Sequence, residues 1–251
     1  MKKLILAALC ILPAGPAFAG GVVNNIFFLP TGETAGSGIL LLDVGHRYFD
    51  PIKHTTNVNI TLGYGITDWW DVYAARSFKN MDIVGTTKIN ILDDRKPKGA
   101  PFSLAILAGG GYKEDSQDVL QSADQPSGYA QVIIQLHLFS NRVSVGVVPT
   151  YAWNTNFYNF DSQYDQSAGC GGFFEAYVTD RISVCGELIA NLYGFGFKYM
   201  AYNAGLKYAG YRHTFSLWVG NCAGYSPAEY IVGSVEKNPK VGGAFTREFD
   251  L

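Results

Sequence analysis

From residue 38 onward, apolar and polar side chains alternate in runs of roughly ten residues, broken at intervals by turn-forming residues. In 38–48, Leu40, Leu42, Val44, His46 and Tyr48 share one face, while Asp43, Gly45 and Arg47 take the other. In the next run Val58, Ile60, Leu62 and Tyr64 oppose Asn57, Asn59, Thr61 and Gly63. Similar runs near 69–78, 82–92, 101–112, 128–139, 143–153, 168–178, 182–192, 199–208, 213–222 and 242–251 predict about twelve strands. The number is even, and the length is what a tilted strand needs to cross a bilayer.

One phrase recurs between strands: Ile66-Thr67-Asp68-Trp69-Trp70-Asp71-Val72, Phe139-Ser140-Asn141-Arg142-Val143-Ser144-Val145 and Val178-Thr179-Asp180-Arg181-Ile182-Ser183-Val184. Thr or Ser followed by Asp or Asn supplies a side-chain acceptor for a tight turn, and β-formers resume soon after. The connections also alternate in length. Short ones fall near 67–69, 140–142, 179–181 and 209–212, with 93–100 somewhat longer; long ones fall at 49–56, 113–127, 154–167 and 223–241. A secreted β-sandwich has alternating strands too, but no reason to sort its loops by end. A membrane barrel has one. The expected fold is therefore all-β: an up-and-down antiparallel transmembrane β-barrel of about twelve strands, with short periplasmic turns, longer external loops and both termini in the periplasm.

Composition agrees with one face in lipid. Charged residues are 16%, with 29 Gly, 16 Tyr and 16 Phe, and the net charge is −2. That charge points to neither nucleic acid nor an anionic surface as partner. No segment after the leader has eighteen consecutive apolar residues, the minimum for a membrane helix. The leader itself reads as a signal peptide over 1–19: Lys2 and Lys3, an apolar stretch from Leu4 to Leu12, and Ala17-Phe18-Ala19 before cleavage. Residues 20–37 follow as an N-terminal periplasmic arm, and 38–251 as the barrel, placed in the bacterial outer membrane. Tyr64, Trp69, Trp70, Phe139, Tyr177, Tyr208 and Tyr211 near the short turns, and Tyr48, Phe49, Phe78, Trp153 and Tyr193 near the long loops, form two aromatic belts for the lipid headgroups. The closing strand, with Phe249 and Leu251 on one side, is the expected handle for the barrel assembly machinery.

From about Gly32 to Leu251 the chain resembles an uncharacterised family of bacterial β-barrel proteins, domain of unknown function 5777. The resemblance is carried by Gly65-Ile66-Thr67-Asp68, Val72, Arg76-Ser77, Lys88, Gly186-Glu187-Leu188-Ile189, His213-Thr214-Phe215-Ser216, Asn221 and Gly242-Gly243-Ala244-Phe245-Thr246-Arg247. Phe78-Lys79-Asn80-Met81-Asp82 departs from the family, which favours an Asn-Lys-Thr-Tyr-Asp-like stretch there. The resemblance implies an outer-membrane barrel and brings no established activity.

The inward face carries the candidate chemistry. Asp43, Arg47, Lys88, Gln135, Glu175, Glu187, Asn203 and Lys207 are the lumen-facing candidates, with Gln131, His137 and Asn191 on the same side. They could line a water-filled channel or plug a narrow barrel with salt bridges and amide hydrogen bonds, and their near-balance of sign favours partial plugging. Glu187 and Lys207 are read as two strands apart, needing a bridge between them. A hydrolase would pair His with Ser, but His213 and Ser216, three apart on a strand, point to opposite faces. No enzymatic activity, metal or cofactor is expected. Three cysteines follow the leader, Cys170, Cys185 and Cys222, all expected as free thiols. The acidic loop around Lys113-Glu114-Asp115, Asp118 and Asp124, and the aromatic–amide loop 154–166, read as solvated external loops. The function expected is a narrow passive channel or small-solute translocator. The alternative is a non-conducting barrel acting through its external loops on a protein partner the sequence does not identify.

Overall fold

Every alternating run forms one antiparallel strand, and the computed structural model describes them within residues 25–50, 55–78, 82–96, 99–113, 125–156, 162–222 and 224–251. The leader 1–19, residues 20–24 and the acidic loop 114–124 lie outside the described residues. The strands are β1 (Ile39–Asp50), β2 (Thr55–Thr67), β3 (Trp70–Ser77), β4 (Asp82–Leu92), β5 (Ser103–Lys113), β6 (Gln125–Leu138), β7 (Val143–Trp153), β8 (Gln166–Tyr177), β9 (Ile182–Gly194), β10 (Ala201–Gly210), β11 (His213–Gly220) and β12 (Lys240–Asp250). Each pairs with the next, and β12 returns to β1 with Leu40 opposite Phe249 and Arg47 opposite Gly242. The sheet is a closed barrel of twelve strands with no free edge.

The recurring phrase makes its turns chiefly through the Thr hydroxyl. Thr67 Oγ1 accepts the Trp69 N–H at 3.3 Å, and Thr179 Oγ1 accepts those of Arg181 and Ile182 at 3.2 and 3.0 Å. The middle copy turns by positive φ at Ser140 (55°) and Asn141 (65°) instead. The acids one place later are thereby released for other work: Asp180 pairs with Arg142, and Asp68 binds the arm.

Alternation sorts the two faces. Leu62, Ile91, Ile106, Leu188, Leu206 and Leu217 stand exposed on the outside, where a bilayer would cover them. The inside is a packed core. Ile26, Phe28 and Leu29 of the arm and Tyr230, Ile231 and Val232 of the 221–239 connection are buried against Ile133, Val148, Phe173, Ile189 and Trp218 of the wall. Two expectations change here. Residues 25–37 do not trail away from the barrel: they turn into it, because three large apolar side chains find burial only there, each gaining on the order of 2 kcal/mol. The connection expected as an external loop likewise folds inward as a single helical turn, α1 (Pro227–Tyr230), with its neighbours. In the aromatic belt, Tyr177 is out of place, since it pairs with Ser183 on the lumenal face; Trp69, Phe139, Tyr211, Phe78, Trp153 and Tyr193 are exposed as expected, and the Tyr48 and Phe49 side chains lie outside the described residues.

Candidate functional site

The arm enters at the end of the barrel that carries the short turns and closes on itself, with Asn25 bridged to Pro30 and the Ile26 N–H donating to Leu29 O at 2.8 Å. This tight bend aims three successive backbone N–H groups at one point. Glu187 of β9 occupies that point: its Oε2 accepts from Phe27, Phe28 and Leu29 at 3.3, 3.2 and 3.0 Å. Such a concavity of N–H groups is an anion-binding nest, and here the anion belongs to the wall. Asn203 of β10 donates to the other oxygen at 2.6 Å and fixes the carboxylate. Leu29 seats over Gly171, where a Cβ would lie 2.5 Å from its Cδ2, so only glycine leaves room.

Wall side chains hold the rest of the arm by its backbone. Lys207 Nζ donates to Asn25 O at 3.0 Å, and Asn90 Nδ2 donates to Gly32 O at 2.7 Å. Gln135 Oε1 accepts the Gly32 N–H at 2.6 Å, and Lys88 Nζ reaches Thr31 O at 3.5 Å. Nearer the turns, Asp71 accepts the Ala35 N–H and Asp68 the Ser37 N–H. Between these, Glu33 makes a charged latch. His137 Nε2 lies 2.9 Å from Glu33 Oε1, and His137 Nδ1 lies 2.7 Å from Asp94 Oδ1. Carboxylates only accept, so the ring can donate to both as the imidazolium. Burial pushes the Glu33 carboxyl up, but the His137 hydrogen bond and the Arg95 charge outweigh it and hold it at about 2.

From the opposite end the 221–239 connection descends to meet the arm. A capping box starts α1, with Glu229 Oε2 accepting the Tyr225 and Ser226 N–H groups at 2.9 and 3.4 Å. The same carboxylate faces Lys113 Nζ at 3.4 Å, and Gln131 donates to the Tyr230 hydroxyl at 2.8 Å. Arg47 joins the two segments: its guanidinium lies 4.3 Å from the Phe28 ring centre and 4.9 Å from that of Tyr225. Both segments thus occupy the lumen. Beside the plug, a cavity of about 150 Å³ remains along β1–β6 and β11–β12, bounded by Phe27, Phe28, Tyr73, Lys88, Asp43 and Asp82 among others.

All eight residues proposed from the sequence face the lumen. Lys88, Gln135, Glu187 and Lys207 bind the arm backbone, and Arg47 stacks on Phe28. Asn203 positions Glu187, Glu175 sits 3.7 Å from Lys207 and accepts Ser183 at 2.6 Å, and Asp43 accepts Thr246 at 2.7 Å beside the cavity. The spacing expected for Glu187 and Lys207 is corrected: their strands are neighbours, but Glu187 is opposite Asn203 and Lys207 opposite Ser183, so each meets the arm separately. The plug is likewise two chain segments rather than a mesh of wall side chains. Sequence reasoning missed Asn90, Asp71, Asp94 and Glu33, and the signal available was the apolar Ile26-Phe27-Phe28-Leu29 in a segment expected as a periplasmic arm.

Cys170, Cys185 and Cys222 are free thiols. Burial pushes the Cys222 thiol up to about 12. Among the described residues no group of three His, Cys, Asp or Glu could hold a metal ion. The Asp94–His137 pair has a hydroxyl nearby, but Ser103 Oγ donates to Asp94 at 2.7 Å and the outer His137 nitrogen is taken by Glu33.

Residues 23–246 match the family described as membrane bound beta barrel domain, DUF5777, and the chain belongs to it. No curated protein matches. Among solved structures, the NanC porin aligns at a TM-score of 0.53 with 12% identity, covering 84% of this chain and 100% of the porin. Omp33 of Acinetobacter baumannii aligns at 0.46 with 9% identity over 86% of this chain and 100% of its own. Outer membrane phospholipase A from Escherichia coli aligns at 0.46 with 12% identity over 92% and 97%. At these identities the likeness speaks to the barrel fold alone.

Proposed function

We propose that this member of the DUF5777 family is an outer-membrane small-solute translocator whose lumen is shut at rest and opens when the arm leaves it. In this reading the leader is cleaved after Ala19, the closing strand is read by the assembly machinery, and the barrel does no catalysis. The observation that carries the proposal is how the arm is held. Besides the Glu33 latch, it is held through backbone groups bound to Glu187, Gln135, Asn90 and Lys207, reversible bonds worth about 1 kcal/mol each. A cavity already runs beside it. A purely structural barrel would be served equally by apolar filling, which avoids burying so many polar groups.

Liposome swelling tests this. Vesicles holding the wild-type barrel should swell slowly in small sugars and amino acids, and vesicles holding a variant without residues 25–32 should swell several times faster. Equal, negligible swelling of both would favour the alternative, a non-conducting barrel that acts through its external loops.

A further inference from the structure

The cavity beside the plug is polarised along the barrel axis. Lys88 lies toward the short-turn end. Asp82, on the same strand, is six residues away, about 20 Å along an extended chain. Asp43 is level with Val84 through the pairs Asp43–Thr61, Thr61–Ala75 and Ala75–Val84, an offset of roughly 13 Å from Lys88 along the strand direction, and it lies three strands to the side. Both acids therefore stand toward the loop end and away from the ammonium.

Lys88 is also under-used. It is 1% exposed, yet its ammonium makes one long hydrogen bond, 3.5 Å to Thr31 O, and stands 5.6 Å from the Tyr73 ring centre. Asp71, opposite it in the β3–β4 register, and Glu33 of the arm are the acids whose charge it feels, but Asp71 spends its Oδ2 on Ala35 and Tyr73, and Glu33 is engaged by His137 and Arg95. A buried ammonium has three donors to satisfy and a large desolvation cost if it does not. Across the same cavity, two strands from Lys88 through the pairs Lys88–Leu107 and Leu107–Gln131, Gln131 Oε1 is buried without a hydrogen-bond partner, although its amide nitrogen is fully engaged. Between these polar points the walls are rings: Phe27 and Phe28 from the arm, Tyr73, Tyr129 and Trp218 from the barrel. A volume of about 150 Å³ matches the engineered apolar cavity in another protein that holds one benzene.

We propose that this cavity binds a small aromatic carboxylate, its anionic head on Lys88 and its ring among Tyr73, Phe27 and Phe28. A hydroxyl or amine on the far edge of such a ring would meet the free acceptor of Gln131. Two of the ring walls belong to the arm, so an occupant contacts the gate itself. The assignment deepens the translocator reading, since it names the solute class on the path that reading supplies.

The test is a fluorine NMR titration of the full mature barrel in detergent micelles, with para-fluorobenzoate and para-fluorobenzylamine as probes. The carboxylate should bind saturably and be displaced by benzoate, and the amine should bind at least about ten-fold more weakly. Lys88→Met should weaken the carboxylate by about ten-fold, and Ala75→Trp, which fills the cavity, should abolish its binding. Absent saturable binding, equal affinity for amine and carboxylate, or an unchanged affinity in Lys88→Met would overturn the assignment. Should Lys88→Met not fold, the amine–carboxylate comparison on the wild type still decides. Swelling of the arm-deleted variant is read separately. A pore that opens without benzoate binding removes this site and keeps the translocator; saturable benzoate binding in a barrel that stays shut does the reverse.

Discussion

Replacing Glu187 by Leu should undock the arm while leaving the barrel standing. The carboxylate is 5% exposed and accepts three arm N–H groups on one oxygen. Leucine keeps much of the volume and removes every acceptor. Two of the three bonds are longer than 3.1 Å, so each lost partner is set at about 1 kcal/mol, the figure for an ordinary hydrogen bond and below that for short bonds to charged acceptors. Together they destabilise docking by about 3 kcal/mol, or about a hundred-fold in the docked-to-undocked ratio. Glu187→Gln keeps one oxygen in the nest and should cost about a third of that. Hydrogen–deuterium exchange by mass spectrometry reads the effect directly. Peptides covering 25–32 should exchange about a hundred-fold faster in Glu187→Leu, with Gln intermediate, and peptides from β8 and β10 should stay protected. Unchanged exchange of 25–32 in a folded Leu variant would refute the claim that Glu187 holds the arm. Loss of protection throughout the barrel would instead make it a residue of the wall.

Two further outcomes follow from the same geometry. The Glu33 carboxyl is held at about 2 against an ordinary 4.5, so its contribution to docking is complete above 4.5 and lost as pH falls toward 2; exchange of 25–34, corrected for intrinsic rates, should rise between pH 5 and 3. Glu33→Gln should flatten that rise, and a wild-type arm equally protected at pH 3 and 5 would contradict the latch. On the outer face, Leu62→Arg should impair assembly by a lipid-facing penalty of about 2–4 kcal/mol, whereas Thr61→Arg, which points into the cavity, should escape it. Matching yields of heat-modifiable protein from the two variants would mean that the alternation does not read a bilayer.

The strands were legible because a bilayer and a lumen impose opposite demands on successive residues. Leu62 against Thr61 and Ile89 against Lys88 declare their faces with a period of two, and the Thr hydroxyl of the recurring phrase marks the turns. The lumen-facing residues were legible for the same reason. What they bind was not. Glu187 meets Leu29 across 158 residues, and no local pattern records so distant a contact. Apart from Glu33, which meets His137 and Arg95, the arm is held mainly by its backbone, so its sequence carries little charge to match against the wall. The bend of Ile26-Phe27-Phe28-Leu29 has no period of its own, and the turn at Pro227–Tyr230 is too short to announce a helix.

Single-channel recording in planar bilayers tests most directly whether the arm closes the lumen. The wild-type barrel should be silent or show only brief, small openings, and the variant lacking residues 25–32 should show discrete steps several-fold larger at the same salt and voltage. Identical traces from the two proteins, whether both open or both closed, would contradict the account.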